Sequence, residues 1–231
     1  MHMSTQAFND RQAIATYAER TAMLVPGYRD MQRMAMVLLA ERSPADARVL
    51  VLGAGGGLEL EMFAQANPAW RLDAIDPSAE MLELARRRLE PHRQRVRLVQ
   101  GYIGDAPPGP FDAACSLLTL HFIGLEERRR TLGEVRGRLR PGAPFVSAHY
   151  SFSQREPERR RWLSRHAAFA LSSGVAPFDV ERMQSAIGSH LYILSPEEDE
   201  ALLRDAGFTE VESFYSGFGF RGWVASAKYL S

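Results

Sequence analysis

A glycine-rich turn and an acid downstream of it form the strongest chemical pattern in the chain. Residues 53–57, with the sequence Gly-Ala-Gly-Gly-Gly, follow a hydrophobic run and precede a helical pattern, and Asp76 ends the next hydrophobic run. Glycines let a backbone pass close to a ligand, and the first turn of a helix offers unpaired N–H groups. An acid after the second strand can accept hydrogen bonds from two ribose hydroxyls. The pattern therefore predicts a nucleoside site.

The residue after the glycine turn bears on which nucleoside binds. A dinucleotide fingerprint that begins at Gly53 requires a small residue at position 58, where Leu58 stands. The chain also lacks a second dinucleotide-binding half. NAD is therefore the alternative ligand, and a tight strand-to-helix connection that binds nothing is the other interpretation of the turn.

Histidines and a tyrosine at two predicted strand ends are candidates for contact with a reaction partner. His121 lies just beyond the fourth predicted strand, and His149 and Tyr150 end the fifth. Ligands of open α/β sheets bind at the carboxyl ends of the strands, so His121 is the candidate catalytic residue and the other two are candidate substrate contacts. A histidine between Leu120 and Phe122 can equally be a packing residue whose hydrogen bonds are satisfied.

Composition limits the class of protein. The chain has 231 residues, enough for one α/β domain with an insertion, and its 28 basic residues balance its 28 acidic residues. No net charge therefore attracts it to nucleic acid or to an anionic membrane. No apolar run reaches the roughly 20 residues of a bilayer span, and residues 1–10 are too polar for a signal peptide, which predicts a cytoplasmic protein. The single cysteine, Cys115, excludes an internal disulfide and leaves no cluster of soft metal ligands.

The elements that must position these residues follow a βαβ pattern. Short aliphatic runs alternate with amphipathic stretches, which is typical of a parallel sheet with helices on both faces. We predict a Rossmann-like, mostly parallel, seven-stranded α/β sheet that an antiparallel C-terminal hairpin closes. The predicted strands are Arg48–Leu52, Trp70–Ile75, Val96–Gln100, Phe111–Leu120, Pro144–Tyr150, Val211–Tyr215 and Trp223–Ala227.

The order and spacing of three motifs resemble the class I S-adenosylmethionine (SAM)-dependent methyltransferases over residues 45–150. The motifs are the turn Gly53–Gly57, the stretch Ala74–Ser78 and the stretch Leu139–Gly142. Over nearly the whole chain, the sequence is more closely similar to the carboxy-S-adenosylmethionine synthase family, which serves tRNA wobble-uridine modification. The similar stretches are Phe8, Val25–Tyr28, Thr119–Phe122, Tyr150–Phe152 and Ala206–Phe208, followed by a phenylalanine-rich tail.

This resemblance implies SAM as the cofactor, S-adenosylhomocysteine as its product, and a set of cofactor contacts. By this resemblance, the start of the glycine turn contacts the methionine part of SAM. Asp76 and Pro77 contact the ribose, and Tyr102 and Ile103 contact the edge of the adenine. The residues so assigned to the cofactor are Tyr28, Gly53, Ala54, Gly55, Asp76, Pro77, Tyr102, Ile103 and Leu117.

Departures from the carboxylating family bear on the reaction. That family has an acid where Tyr102 stands and an asparagine where Leu117 stands, and its glycine turn differs. Arg182 corresponds, across a gap, to the family's arginine that pairs with the added carboxylate. Arg182 is therefore a candidate substrate contact for an anionic acceptor or, beside Glu181, a solvated surface pair. These departures favour ordinary methyl transfer.

The chain divides into four expected segments. Residues 1–44 form an N-terminal helical segment that covers the cofactor cleft, and residues 45–150 form the Rossmann-like SAM-binding core. Residues 151–194 interrupt the strand–helix alternation with helical stretches, which predicts a helical lid insertion. Residues 195–231 supply the last helix and the closing hairpin of the core.

Three functions stay open from the sequence. The preferred one is a SAM-dependent methyltransferase with a small-molecule acceptor that the sequence does not identify. The alternatives are a carboxy-SAM synthase-like enzyme of the tRNA wobble-uridine pathway and a non-catalytic SAM-binding protein. Displacement at a sulfonium methyl needs mainly positioning of two reactants, so a base is optional and a metal is not required. The resemblance also implies a homodimer.

Overall fold

One seven-stranded sheet organises the residues that the computed structural model describes, 17–228. Its strands are β1 (Arg48–Leu52), β2 (Arg71–Asp76), β3 (Val96–Gln100), β4 (Ala113–Leu117), β5 (Pro144–Tyr150), β6 (Phe208–Gly217) and β7 (Phe220–Ala227). Their order across the sheet is β3-β2-β1-β4-β5-β7-β6. The first five strands pair in parallel, and β7 lies antiparallel to both β5 and β6. The predicted mostly parallel sheet with a closing hairpin is confirmed.

Eight α-helices lie within the described residues. They are α1 (Tyr17–Leu24), α2 (Tyr28–Glu41), α3 (Leu58–Ala66), α4 (Ala79–Arg88), α5 (Leu125–Arg138), α6 (Glu158–Ser172), α7 (Pro177–His190) and α8 (Pro196–Asp205). Within residues 17–228, no helix combines the length and the apolar character that a bilayer span requires.

The period of two along β1 builds a core on each face of the sheet. Val49 and Val51 belong to one buried cluster, which side chains of α2, α3 and α4 complete, whereas Leu50 and Leu52 belong to a second cluster with side chains of α5 and α8. A strand covered on both faces is apolar at every position, as the run 49–52 is. Helices on both faces fix the carboxyl ends of the strands as the edge that remains for ligands.

The fourth strand is shorter than the sequence predicted. The prediction extended it over 111–120, but β4 ends at Leu117 because Leu118 adopts a positive φ of 57°. A 3₁₀ turn, Leu120–Phe122, follows. An extended strand cannot continue through a left-handed residue. The prediction was therefore wrong at this boundary. As a result, His121 lies in the 3₁₀ turn and not just beyond the end of a strand.

The N-terminal helices and the 151–194 segment pack against each other. The main-chain oxygen of Leu24, which ends α1, lies 2.9 Å from Nε2 of His166 on α6, and Arg20 lies 3.6 Å from Asp179 on α7. The two helices expected in this segment are present as α6 and α7. Phe8 of the N-terminal resemblance lies outside the described residues, as do the rest of 1–16 and 229–231.

Candidate functional site

A cleft of about 480 Å³ opens at the carboxyl ends of β1, β2 and β4. This volume is within the range of roughly 300–1,000 Å³ that small-molecule sites occupy. The sheet order reverses between β1 and β4, which is where open α/β sheets bind ligands. All the residues assigned to the cofactor by sequence line this cleft except Ala54, which is fully buried.

The glycine turn is held against the end of β2 by its own backbone. The N–H groups of Gly53 and Ala54 donate to the main-chain oxygen of Ile75 at 2.8 and 3.0 Å. Gly53 has a φ of +81°, and a Cβ built there would lie 1.9 Å from Oγ1 of Thr119. A side chain at position 53 is therefore excluded by both backbone conformation and space. The turn keeps the backbone of Gly53, Gly55 and Gly56 open toward the cleft.

Asp76 is fixed at the cleft by two backbone donors. Its Oδ2 accepts a hydrogen bond from the N–H of Gly55 and its Oδ1 from the N–H of Ser78, each at 2.9 Å. Burial raises the pKa of the Asp76 carboxyl, and these two N–H groups offset part of that effect. Each carboxylate oxygen has a second lone pair for another donor. The side chain can therefore accept hydrogen bonds from two neighbouring hydroxyl groups.

Apolar walls flank the carboxylate. Ile103 and Leu117 are buried, and Tyr102 is 47% exposed, with its N–H bound to the Asp105 carboxylate at 3.0 Å. On the other side Tyr28, at the start of α2, lines the cleft and accepts a hydrogen bond from Nε2 of Gln32 at 3.0 Å. The wall formed by Tyr102, Ile103 and Leu117 suits a flat ring of a ligand. At the other end of the cleft, Tyr28 of the N-terminal segment can cover the ligand.

The cleft is lined by a second buried carboxyl, which the sequence analysis did not identify. Glu59, in the first turn of α3, is 6% exposed. Burial, together with repulsion from Asp76, raises the pKa of Glu59 to about 8, and Arg88 opposes this only in part. The signal was present in the sequence, because Glu59 lies directly after the glycine turn on the face of α3 that also carries Phe63.

His121 does not line the cleft. It is 3% exposed, and its Nδ1 accepts a hydrogen bond from the N–H of Tyr150 at 3.2 Å. Burial, with His149 and Arg128 nearby, holds the pKa of His121 well below its usual range. A buried His121 outside the cleft lining does not make the predicted contact with a reaction partner. The 3₁₀ turn after β4 points the imidazole into the protein, while Phe122 beside it lines the cleft.

The other predicted substrate contacts also lie away from the cleft lining. Nε2 of His149 is 3.2 Å from Oδ1 of Asp199, which Nη1 of Arg128 binds at 2.9 Å. The Tyr150 hydroxyl lies 3.3 Å from Nδ1 of the buried His166. Arg182 is exposed on α7, with its guanidinium 5.9 Å from the ring centre of Phe178, as in the surface interpretation.

The family comparison matches this part of the chain. A methyltransferase domain family matches residues 49–142, which contain the glycine turn, Asp76 and β4. A carboxy-S-adenosyl-L-methionine synthase from Campylobacter curvus is 22% identical over 216 residues, which cover 94% of this chain and 92% of that protein.

Solved structures share the fold over nearly the whole chain. An O-methyltransferase family protein from Burkholderia thailandensis has a TM-score of 0.66 at 18% identity, covering 98% of this chain and 63% of that one. A phosphoethanolamine N-methyltransferase from Haemonchus contortus, in complex with phosphomonomethylethanolamine and S-adenosylhomocysteine, has a TM-score of 0.70 at 13% identity, covering 97% and 59%. The chain thus spans less than two-thirds of either structure, and the likeness is one of fold.

Proposed function

We propose that the cleft holds SAM beside a small-molecule methyl acceptor. By its domain and its fold, the chain is a class I SAM-dependent methyltransferase. The observation that carries the proposal is the Asp76 carboxylate, which the backbone N–H groups of Gly55 and Ser78 fix beside the glycine turn. A carboxylate fixed in this way at the end of β2 suits two ribose hydroxyls.

The lining residues fit the three parts of SAM. In this proposal Asp76 and Pro77 bind the ribose, and Tyr102, Ile103 and Leu117 contact the adenine ring; all five residues line the cleft. The open backbone of Gly53 and Gly55 leaves room for the methionine part, with Tyr28 above it. When bound, SAM supplies a methyl carbon whose bond to sulfur breaks as the bond to the acceptor forms, leaving a neutral thioether. The protein's part is to orient both reactants and to exclude water from the cleft.

The charges around the cleft favour methyl transfer over carboxylation of SAM. A carboxylated cofactor carries one more negative charge than SAM. Among the described lining residues the acids are Glu59, Asp76 and Glu127, and the only basic side chain is Arg130, which binds Glu127 at 2.5 Å. No lining cation is therefore left for an added carboxylate, and Arg182 is outside the lining. Carboxy-SAM synthesis remains the second candidate because relatives of that name align over 94% of the chain.

Calorimetric titration tests the cofactor. SAM and S-adenosylhomocysteine are expected to bind saturably and NAD is not. Mass analysis of any nucleoside that co-purifies separates the first two candidates, because a carboxylated cofactor is heavier than SAM. Release of S-adenosylhomocysteine is then measured with a panel of small acceptors and tRNA. Tight SAM binding without turnover on the whole panel would favour a non-catalytic SAM-binding protein, and absence of SAM binding would refute the proposal.

We also propose a homodimer and a cytoplasmic location. Apolar side chains of α1 and α2 support an interface: Met23, Met34 and Val37 are 39%, 38% and 54% exposed. Light scattering during gel filtration would return twice the mass of 25.9 kDa for a dimer, and the mass of one chain would exclude it. Cell fractionation tests the location.

A further inference from the structure

Glu59 has a placement that the fold alone does not account for. Its carboxyl lies in the wall of the cleft, 6% exposed, and within residues 17–228 it forms no ion pair and no hydrogen bond with another residue. The nearest candidate cation, Arg88, binds other groups: Glu61 at 3.1 Å and the main-chain oxygen of Gly56 at 2.9 Å. Burying an acid without a partner costs free energy that an apolar side chain at this position would not cost.

Three titratable groups face Glu59. They are Asp76 on β2, the thiol of Cys115 on β4, and Arg88 on α4. Burial raises the pKa of the Cys115 thiol well above its usual range, so this group stays neutral. Asp76 and Glu59 thus place two carboxyls in one cleft, and the arginine nearest to them is already bound. Such a cleft favours a ligand that brings a positive charge of its own.

The two carboxyls differ in what they can bind. Both oxygens of Asp76 already accept backbone N–H groups, an arrangement that leaves it suited to hydroxyl donors. Glu59 lies on the other side of the turn, one residue into the helix that begins after Gly57, and its oxygens have no such donors from other residues. It suits a cation that can donate several hydrogen bonds. An ammonium group has three N–H donors, whereas a sulfonium has none.

We propose that Glu59 binds the α-ammonium group of the methionine part of the cofactor. The inference rests on the proposed function, since it takes SAM as the ligand of the cleft. It assigns the ammonium end to a side chain, whereas the sequence assigned the methionine part only to the backbone of Gly53–Gly55.

Binding of the ammonium also requires loss of a proton from Glu59. With a pKa of about 8, the carboxyl of the cofactor-free protein is largely protonated at neutral pH. Only the carboxylate pairs with an ammonium. Binding at pH 7 therefore releases close to one proton, and the apparent affinity rises with pH until about pH 8.

The test compares three ligands in the whole protein. Wild type and Glu59→Gln are titrated with SAM, with S-adenosylhomocysteine, and with 5′-deoxy-5′-methylthioadenosine, which keeps the nucleoside but has no ammonium. Glu59→Gln is expected to weaken SAM and S-adenosylhomocysteine by the same factor, on the order of 10- to 100-fold. Methylthioadenosine should bind both proteins within about twofold, which also reports that the variant is folded. Glu83→Gln, a change of an exposed acid on α4 that pairs with Arg86 and Arg87, is the control and should leave all three affinities unchanged.

Each other outcome overturns a defined part of the idea. Unchanged affinity for SAM and S-adenosylhomocysteine in Glu59→Gln removes the role of Glu59. A loss with SAM alone assigns Glu59 to the sulfonium instead of the ammonium, and an equal loss with methylthioadenosine assigns the effect to general damage to the cleft. Proton release, measured at pH 7 in buffers of different ionisation enthalpy, should disappear in Glu59→Gln. Failure of wild type to bind either SAM or S-adenosylhomocysteine is a separate result, which refutes the proposed function itself.

Discussion

The two halves of the ligand-facing sheet edge use their polar residues in opposite ways. Beyond β1 and β2, Glu59 and Asp76 line an open cleft. Beyond β4 and β5, His149, Asp199 and Arg128 are 1–3% exposed, and Oδ1 of Asp199 lies 2.9 Å from Arg128 and 3.2 Å from His149. Polar residues beside the strand ends therefore line an open cleft in one half and are packed inside the protein in the other. Position at a strand end gives only the location of a residue, and the turn that follows decides where its side chain points.

The turns after β1 and β4 explain the contrast. After β1, glycines with positive φ carry the chain around without side chains, so the cleft stays open above them. After β4, Leu118 takes the positive φ and a 3₁₀ turn directs His121 inward, toward β5. In the inward-facing half, His121 accepts the N–H of Tyr150, and Arg128 of α5 binds Asp199 of α8 beside His149.

The largest effect should come from removing Asp199. Asp199→Ala leaves Arg128 buried without its carboxylate, and breaking one partner of a buried pair costs about 3–5 kcal/mol. Burial pushes the pKa of Asp199 upward, but His149 and Arg128 together hold it below its usual range, so the pair is charged at neutral pH. Urea unfolding measures the loss, with Asp205→Ala, exposed on the same helix, as the control. The affinity of the folded variant for SAM should change less than about threefold.

Removing Asp76 should give the converse result. Asp76→Ala deletes the acceptor for two ribose hydroxyls, and charged hydrogen bonds of this kind contribute enough that SAM affinity should fall on the order of 100-fold. Its stability should change far less than that of Asp199→Ala. Titration calorimetry measures the affinity, and Asp46→Ala, an exposed acid before β1, is the control. If Asp76→Ala lowered stability as much as Asp199→Ala and kept its affinity, the two halves would not differ in the way argued above.

The same contrast explains which site residues could be predicted from the sequence and which could not. The glycine turn and Asp76 were found because backbone geometry and chain order fix them: a Gly-rich turn between a strand and a helix has few conformations, and a strand end has one location. The role of His121 could not be predicted in this way, because it depends on where β4 ends. Leu118 is the residue that ends it, and nothing in an apolar run marks one leucine as left-handed.

Glu59 was missed for a different reason. An acid in the first turn of a helix is usual, since the N-terminus favours negative charge, so the position of Glu59 on the same helix face as Phe63 does not by itself indicate a buried acid. The burial of Glu59 depends on elements distant in the sequence, among them β2 and β4, whose Asp76 and Cys115 face it. Such tertiary environments, rather than local patterns, set unusual ionisation.

Glu59→Gln should raise the stability of the cofactor-free protein, and more so at higher pH. The folded-state pKa of about 8 lies above the usual value of 4.5, so between these values the unfolded chain ionises Glu59 while the folded protein does not. The wild type therefore loses stability as pH rises from about 4.5 to 8, a penalty of up to about 4 kcal/mol that glutamine does not have. Thermal unfolding at pH 4.5 and pH 8 measures it. Glu83→Gln, a change of an exposed acid on α4, should show no such rise, and a pH-independent difference for Glu59→Gln would contradict the ionisation argument.

The smallest expected effect is that of His121→Gln on turnover, although the sequence analysis made His121 the candidate catalytic residue. His121→Gln replaces the Nδ1 acceptor of the Tyr150 N–H by an amide oxygen that lies farther along the side chain, and should cost about 1–2 kcal/mol of stability. Because its folded-state pKa is depressed, neutral His121 contributes stability that is lost as pH falls below about 6.5, and the variant should lose part of that acid dependence. His166→Gln, another buried histidine with a lowered pKa, is the comparison. Turnover, measured once an acceptor is known, should change less than about threefold. A 100-fold loss of turnover at unchanged stability would place the imidazole at the reacting atoms, and would mean that the turn after β4 opens when SAM and acceptor bind.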